Sequence, residues 1–429
     1  MSIAFLWWFI ALLAIGAPVT FALLLGPGLS LLFDGESRYF AVMLSRLYNG
    51  IDSFPLMAVP FFILAGEAMN RGGITAGLVR VSQSFLGHWR GGLAQMNIAS
   101  SMLFAGLSGS AVADTSALGK VLIPAMERAG YSRRFAAAVT SASSVVGPII
   151  PPSGLMILYA FVMKVPVAGL FAAGVVPGLM IVAGMGSVTG WLARRAEFPV
   201  ASERASWRER VVALGESLPA LLTPVILLGG ILSGVFTPTE AAAVAAAYAL
   251  VVGLFVSRSL RPRELPAVFV AAARQSGVIL LLIGAAVAFA WSVTVSGLAT
   301  QATAALSSLT DNVYALLLLV NLLLFVLGMF LDAGPAILIL GPVLAPLFVD
   351  LGVHPVHFAI VMCVNLSVGL TTPPVGLVLF VASSLTGERP ERIAGAMWPF
   401  LAVQVLVIML ITYVPALSLA LPRAMGLLE

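Results

Sequence analysis

Charge is the scarcest property of this 429-residue chain, in which 9% of residues are Asp, Glu, Lys or Arg and 60% are hydrophobic. An average soluble domain carries roughly 25% charged residues. A water-facing surface is therefore out of reach for a 44.6 kDa globule, and a mean hydropathy of +1.08 identifies lipid as the main solvent. Cysteine is nearly absent: Cys363 stands alone in an apolar run, which excludes a disulfide framework and a cysteine metal cluster. His88, His354 and His357 are too few and too scattered for a histidine metal site. Lysine occurs only at Lys120 and Lys164, and the net charge of +4 rests on 20 arginines placed in short segments between apolar runs. That distribution sets membrane topology and excludes a nucleic-acid surface. Alternating apolar strands are lacking as well, which excludes a transmembrane β-barrel. What remains is an all-α polytopic membrane protein with room for roughly ten to twelve crossings. Met1 to Phe33 has no Lys or Arg and no small-residue cleavage signal, and reads as a retained first helix.

The arginines fix a topology. One cluster, Arg194, Arg195, Arg204, Arg208 and Arg210, and a second, Arg258, Arg261 and Arg263, are separated by two apolar runs, Glu216 to Gly234 and Ala241 to Val256. Both clusters therefore belong on the cytoplasmic side. Counting back through Val167 to Leu192 and Phe135 to Met163 returns Arg128, Arg133 and Arg134 to that side too. The run between Arg90 and Arg128 has basic residues at both ends and a break at Gly106 to Ser110, so it reads as a re-entrant hairpin over about residues 92–127. The following helix, about 135–163, is broken at Gly147 to Gly154. Glycines and prolines at membrane depth leave carbonyls without helical partners, which is tolerated beside protein or a wet cavity.

A shift of 222 residues, without a gap, lays Gly106 on Gly328, Gly119 on Gly341, Pro124 on Pro346, Gly130 on Gly352 and Gly147 on Gly369. It also pairs Pro151 and Pro152 with Pro373 and Pro374, Gly154 with Gly376 and Pro177 with Pro399. The chain reads as a duplicated unit. Residues 1–192 form the first repeat, 193–237 an Arg-rich cytoplasmic linker with a connecting helix, and 238–429 the second repeat. In the second repeat the hairpin is expected at about 312–349, with its break at Gly328 to Gly334, and the broken helix at about 357–385. From the Arg258 loop, a surface stretch through Arg274 and one crossing, Ser276 to Val295, lead to an Arg-free and Lys-free stretch, Ser296 to Asn312. The second hairpin should then open from the opposite face, which makes the repeats inverted, a secondary-transporter architecture. The amino terminus is placed in the cytoplasm and the carboxyl terminus on the far side.

Half-helix ends meeting at the midplane present carbonyls and hydroxyls to a desolvated Na⁺, and amino ends suited to a carboxylate. The first set offers Ser108, Ser110, Asp114, Thr115, Ser143, Ser144, Gly147 and Ser153, and the second Asp332, Gly334, Asn365, Ser367, Gly369, Thr371 and Thr372. At least two Na⁺ sites are expected, drawn from Ser108, Gly109, Ser144 and Gly147 and from Asp332, Gly334, Asn365, Gly369 and Thr371. Ser110, Ser153, Asp332 and Thr372 are the candidates for contact with an anionic substrate. Each hydroxyl has an alternative use, bonding back to its own turn or to a neighbouring helix. Asp114 and Asp332 are functional candidates as intramembrane acids, or caps of half-helices. Lys120 sits in the hairpin or snorkels to the interface.

The runs Pro60 to Gly66, Gly106 to Asp114, Gly147 to Gly154, Gly234 to Ala242 and Gly369 to Gly376 resemble the large membrane subunit of tripartite ATP-independent periplasmic (TRAP) transporters, over essentially the whole chain. The resemblance implies an elevator-type, Na⁺-driven importer of a small organic acid, such as a C4-dicarboxylate, sialic acid or another sugar or keto acid, in a bacterial inner membrane. It implies no organic cofactor and two partners, a small four-helix membrane subunit and a periplasmic substrate-binding protein. The moving unit would be about residues 92–163 and 312–385. Thr237 or Thr239 followed by Glu240 reads as an ordinary helix start. Three rival readings compete with this one. An ATPase is excluded because the nearest approach to a phosphate loop, Gly119-Lys120-Val121, lacks the upstream Gly and the following Ser or Thr. An intramembrane serine protease would use Ser108 of Gly106-Leu107-Ser108-Gly109 and needs a His base, for which His357 is the candidate. A passive channel would also use paired re-entrant segments.

Overall fold

The computed structural model describes residues 3–72, 74–195, 198, 204–298, 301, 310 and 312–428. Most of the Arg-free stretch from Ser296 to Asn312 therefore lies outside the described residues. Among the described residues nineteen α-helices account for the architecture and no strand occurs. Helices α1 (Ala4–Ala14), α2 (Val19–Phe33), α3 (Phe40–Ile51), α4 (Ala58–Arg71) and α5 (Ile74–Leu86) lead to the first hairpin, α6 (Gly92–Ser108) and α7 (Ala111–Arg128). The first broken helix is α8 (Arg133–Ser144) and α9 (Gly154–Met163), and α10 (Val167–Arg195) follows. Connecting helices α11 (Trp207–Leu232), α12 (Pro238–Val251) and α13 (Leu265–Ser296) precede the second hairpin, α14 (Val313–Phe330) and α15 (Ala333–Asp350). The second broken helix is α16 (Pro355–Gly369) and α17 (Leu377–Thr386), followed by α18 (Pro390–Tyr413) and α19 (Ala416–Ala424).

Local chemistry explains the boundaries. The apolar amino-terminal run, expected as one helix, is two, because Gly16 takes a φ of +83° and Pro18, at ψ 137°, begins a new helix. Helices α11 and α12 open with capping boxes, Ser206 with Glu209 and Thr237 with Glu240, so the Thr237 run is the helix start its sequence announces. Helix α11 bends by 57° between its two halves, one turn before Pro224, whose ring clashes with the preceding turn. The stretch through Arg274 and the crossing expected at Ser276 to Val295 are continuous in α13, a single helix of 32 residues. Among the described residues six helices are long and apolar enough to cross a bilayer, or seven if the bent α11 counts as one span. That is below the ten to twelve estimated from length, since much apolar chain lies in helices of 10–17 residues interrupted by Gly and Pro.

Helix bounds recur at the same 222-residue spacing: α7 maps onto α15 residue for residue, and α9 maps onto α17 within one residue. The halves interlock, with α9 packed on α15, α17 on α7 and α18 on α8. Gln404 on α18 donates its Nε2 proton to the Ala142 carbonyl on α8 at 2.9 Å. The broken helices form the centre. Every residue from Ala136 to Ser144, and from Val356 to Gly369, is buried. The first break is enclosed too, with Val145 to Ile149 and Pro151 to Ser153 buried, whereas Pro373 and Pro374 of the second break are exposed. Irregular backbone at such depth is tolerated against protein or a wet cavity.

Candidate functional site

At the first hairpin tip, Ser108 ends α6, Gly109 turns the chain at φ +59°, and Ser110 caps α7 by accepting from the Ala113 N–H at 3.4 Å. Glycine is required at position 109 for a second reason: a Cβ there would lie 3.1 Å from the Gly154 nitrogen and 3.2 Å from the Pro152 carbonyl oxygen. The tip thus rests on the break of the first broken helix. The second tip turns at Leu331 and Asp332, and the Gly376 N–H donates to the Met329 carbonyl at 2.9 Å, tying that hairpin to the second break. Behind this tip Gly328 and Gly369 touch backbone to backbone, a Cβ on Gly369 falling 2.6 Å from the Gly328 Cα. Both breaks carry a cis peptide, Pro151–Pro152 and Pro373–Pro374.

Tips and breaks surround one cavity of about 670 Å³. Its wall includes Ser108, Gly109, Ser110, Pro148, Pro152 and Gly154 from the first half and Asp332, Gly334, Leu370 and Leu377 from the second. Four helix amino ends, those of α7, α9, α15 and α17, contribute to it. The first N–H groups of a helix have no partner within that helix and carry partial positive charge. Asp332 and Glu67 line the cavity, and no Lys, Arg or His does so among the described residues. The far wall comes from α4 and α13, including Phe62, Glu67, Asn70, Gln275 and Ile279. Glu67 is also held by Arg71 Nε at 2.6 Å. Sequence reasoning passed over Glu67, Asn70 and Gln275. For Glu67 and Asn70 a signal existed, since they lie three residues apart on one face of an apolar helix.

Other candidates stand behind the cavity wall. Asp114 is fully buried: Ser108 Oγ donates to its Oδ1, and Oδ2 has no hydrogen-bond partner and faces Gly147, whose missing side chain makes the room. Thr115 Oγ1 bonds the Ala111 carbonyl at 2.9 Å and Ser144 Oγ at 2.7 Å, and Ser144 donates to the Ser141 carbonyl at 2.8 Å. Ser153 is buried, donating to the Pro148 carbonyl at 2.6 Å and capping α9 through the Met156 N–H at 3.2 Å. Thr371 and Thr372 both bond the Val368 carbonyl, at 2.8 and 3.0 Å. Asn365 donates from Nδ2 to Asn321 Oδ1 at 2.8 Å and leaves its own Oδ1 unpartnered. Ser143 meets Ser101 Oγ at 2.7 Å, and Ser367 bonds the Cys363 carbonyl at 2.6 Å. Lys120 is exposed. A protease pair does not assemble: Ser108 is engaged by Asp114, while His357 pairs Nδ1 with Ser418 Oγ at 2.7 Å and Nε2 with the Thr412 carbonyl at 3.3 Å.

Comparison with known proteins gives the family and the fold. Residues 6–417 match the family model described as tripartite ATP-independent periplasmic transporter, DctM component. The chain is 38% identical to the C4-dicarboxylate TRAP transporter large permease protein DctM of Rhodobacter capsulatus, over 97% of this chain and 98% of that protein. It is 36% identical to the sialic acid TRAP transporter large permease protein SiaM of Vibrio cholerae, over 96% of each chain. It is also 36% identical to the 2,3-diketo-L-gulonate TRAP transporter large permease protein YiaN of Escherichia coli, over 94% of this chain and 95% of that one. The fold is shared with the YdaH transporter of Alcanivorax borkumensis, with a TM-score of 0.65, 20% identity and coverage of 95% of this chain and 96% of that one. The chain belongs to the DctM component family of tripartite ATP-independent periplasmic transporters and is a multi-pass large permease protein, not an enzyme.

Proposed function

We propose that this permease couples Na⁺ influx to import of a small organic acid, by moving the two hairpins and broken helices as one unit past α4 and α13. The observation that carries the reading is the cavity on which four helix amino ends converge without a basic side chain. A carboxylate placed there is met by backbone N–H groups and helix dipoles. The volume of about 670 Å³ falls in the range of small-molecule sites. Relatives named for C4-dicarboxylate, sialic acid and 2,3-diketo-L-gulonate support an acid as cargo. Bound cations would offset Asp332 beside an anion. Ser108, Gly109, Asp332 and Gly334 line the cavity, and Ser144, Gly147, Asn365, Gly369 and Thr371 supply buried oxygens and backbone at the two breaks. In this reading Ser110 contacts the substrate directly, while Ser153 and Thr372 shape the breaks from behind.

The same reading places the protein in a bacterial inner membrane, with opposed hairpins, a small four-helix membrane subunit and a periplasmic binding protein that delivers the cargo. Reconstitution with those partners in vesicles tests it. Uptake should saturate, require an inward Na⁺ gradient and fall at least about tenfold in Asp332→Ala or Ser108→Ala while membrane insertion is retained. Unsaturable flux, or undiminished Na⁺-dependent uptake in both variants, would overturn it.

A further inference from the structure

A second cavity, of about 710 Å³, lies away from the hairpin tips, between the loop that opens α6 and the last turns of α10. Arg90 and Arg194 line it, make no ion pair among the described residues, and stand at the same end: a Cβ on Gly91 would lie 2.8 Å from the Ala193 Cβ. Trp89 and Trp191 flank that end and are 51% and 50% exposed. Arg195 lies over the Trp191 ring at 4.2 Å, adding a third cation beside the mouth. No acidic side chain lines the cavity among the described residues.

Farther along α10 the wall loses its charge. Gly186 and Gly190 open a channel whose floor is the Gln95 amide, fixed by its Nε2 donating to the Gly186 carbonyl at 2.6 Å. From Val182 to Arg194 the helix rises roughly 18 Å, so the cavity runs from a basic, tryptophan-flanked rim down a span of high hydropathy. Tryptophan pairs and arginines at the end of an apolar helix mark the headgroup level of a bilayer. Basic pockets between helices at that level suit acidic lipid headgroups.

We infer that this groove binds one anionic phospholipid, its phosphate between Arg90 and Arg194 and an acyl chain along Gly186 and Gly190. The lipid bridges the base of the first hairpin and α10. A free phosphate would satisfy the arginines and leave the uncharged channel unused, and a zwitterionic lipid would bring an ammonium group to a wholly basic rim.

The test uses the full chain in detergent, alone and together with the small membrane subunit proposed above. Phosphatidylglycerol, phosphatidylcholine with the same chains, and inorganic phosphate are titrated in parallel, with retained lipid read by native mass spectrometry and the unfolding midpoint read alongside. Phosphatidylglycerol should be retained and should raise the midpoint, while the other two should not. The paired variant Arg90→Gln with Arg194→Gln should weaken retention about thirtyfold. Gly190→Leu should abolish it without altering the rim, and Arg195→Gln should keep most of it. Equal retention of phosphatidylcholine, equal stabilisation by phosphate, or undiminished retention in the paired variant and in Gly190→Leu would each overturn the inference. So would failure of the full chain to retain phosphatidylglycerol both alone and in the complex.

Discussion

Asp114 shows how a single residue type acquires meaning from its neighbours. One carboxylate oxygen is held by Ser108, and the other faces the bare Cα of Gly147. Gly147→Ala would drive a methyl group onto that oxygen, and overpacking of this kind costs about 1–3 kcal/mol. A lowered unfolding midpoint is expected, whereas Gly154→Ala, with nothing within 4 Å of the new Cβ, should leave the midpoint unchanged. His354 carries a pH dependence outside the spanning helices. It caps α16 by accepting the Val356 N–H on Nδ1 at 3.2 Å, and burial, aided by the charge of Arg423, holds its pKa below the usual 6.5. The folded state therefore binds this proton less readily than the unfolded chain, so its contribution is present above about pH 6.5 and is lost as pH falls through the folded value. Melting in detergent between pH 7 and 5 should show this loss, and His354→Asn, which keeps an acceptor without the titration, should flatten the dependence.

Short elements with chemically explicit ends build the candidate site. Ser153 is the first example: a buried hydroxyl that bonds the Pro148 carbonyl and caps α9. Ser153→Ala removes both bonds and should cost about 1–2 kcal/mol. If stability falls while the apparent KM for the imported acid is unchanged, the residue holds the break; a raised KM would return it to direct contact with substrate. The breaks themselves were legible, because Gly and Pro end helices wherever they stand, and the hairpin bounds of about 92–127 and 312–349 fall within one or two residues of the observed helices. The amino-terminal pair was harder to read. Gly16 and Pro18 lie inside a run whose hydrophobicity never drops, and hydropathy does not register a change of direction.

At the scale of the molecule, the proposal that the hairpins open from opposite faces makes a claim about sidedness. With the single native cysteine, Cys363, buried, a cysteine introduced at an exposed position reports the face it occupies. Arg204→Cys should react with a membrane-impermeant maleimide only from the cytoplasm, and Gln301→Cys only from outside. Labelling of both from one face would remove the inverted arrangement and with it the proposed alternation of access. The interlocking of halves has a mechanical consequence too. If the hairpins and broken helices move as proposed, the packing of α9 on α15 and of α17 on α7 couples each hairpin to the broken helix of the other half.

The amino-acid sequence determined the solvent, the helical class and the positions of the breaks, since each depends on composition or on residues whose backbone limits act locally. Tertiary structure alone decided which polar side chains face the cavity. Ser108, Ser110 and Asp332 do, whereas Ser144, Asn365 and Thr371 turn to neighbouring protein oxygens or hydroxyls, and Glu67, Asn70 and Gln275 join from helices distant in sequence. The reason is physical: a buried hydroxyl or amide takes whichever partner packing brings within reach, and that choice is made between helices, where no local pattern records it.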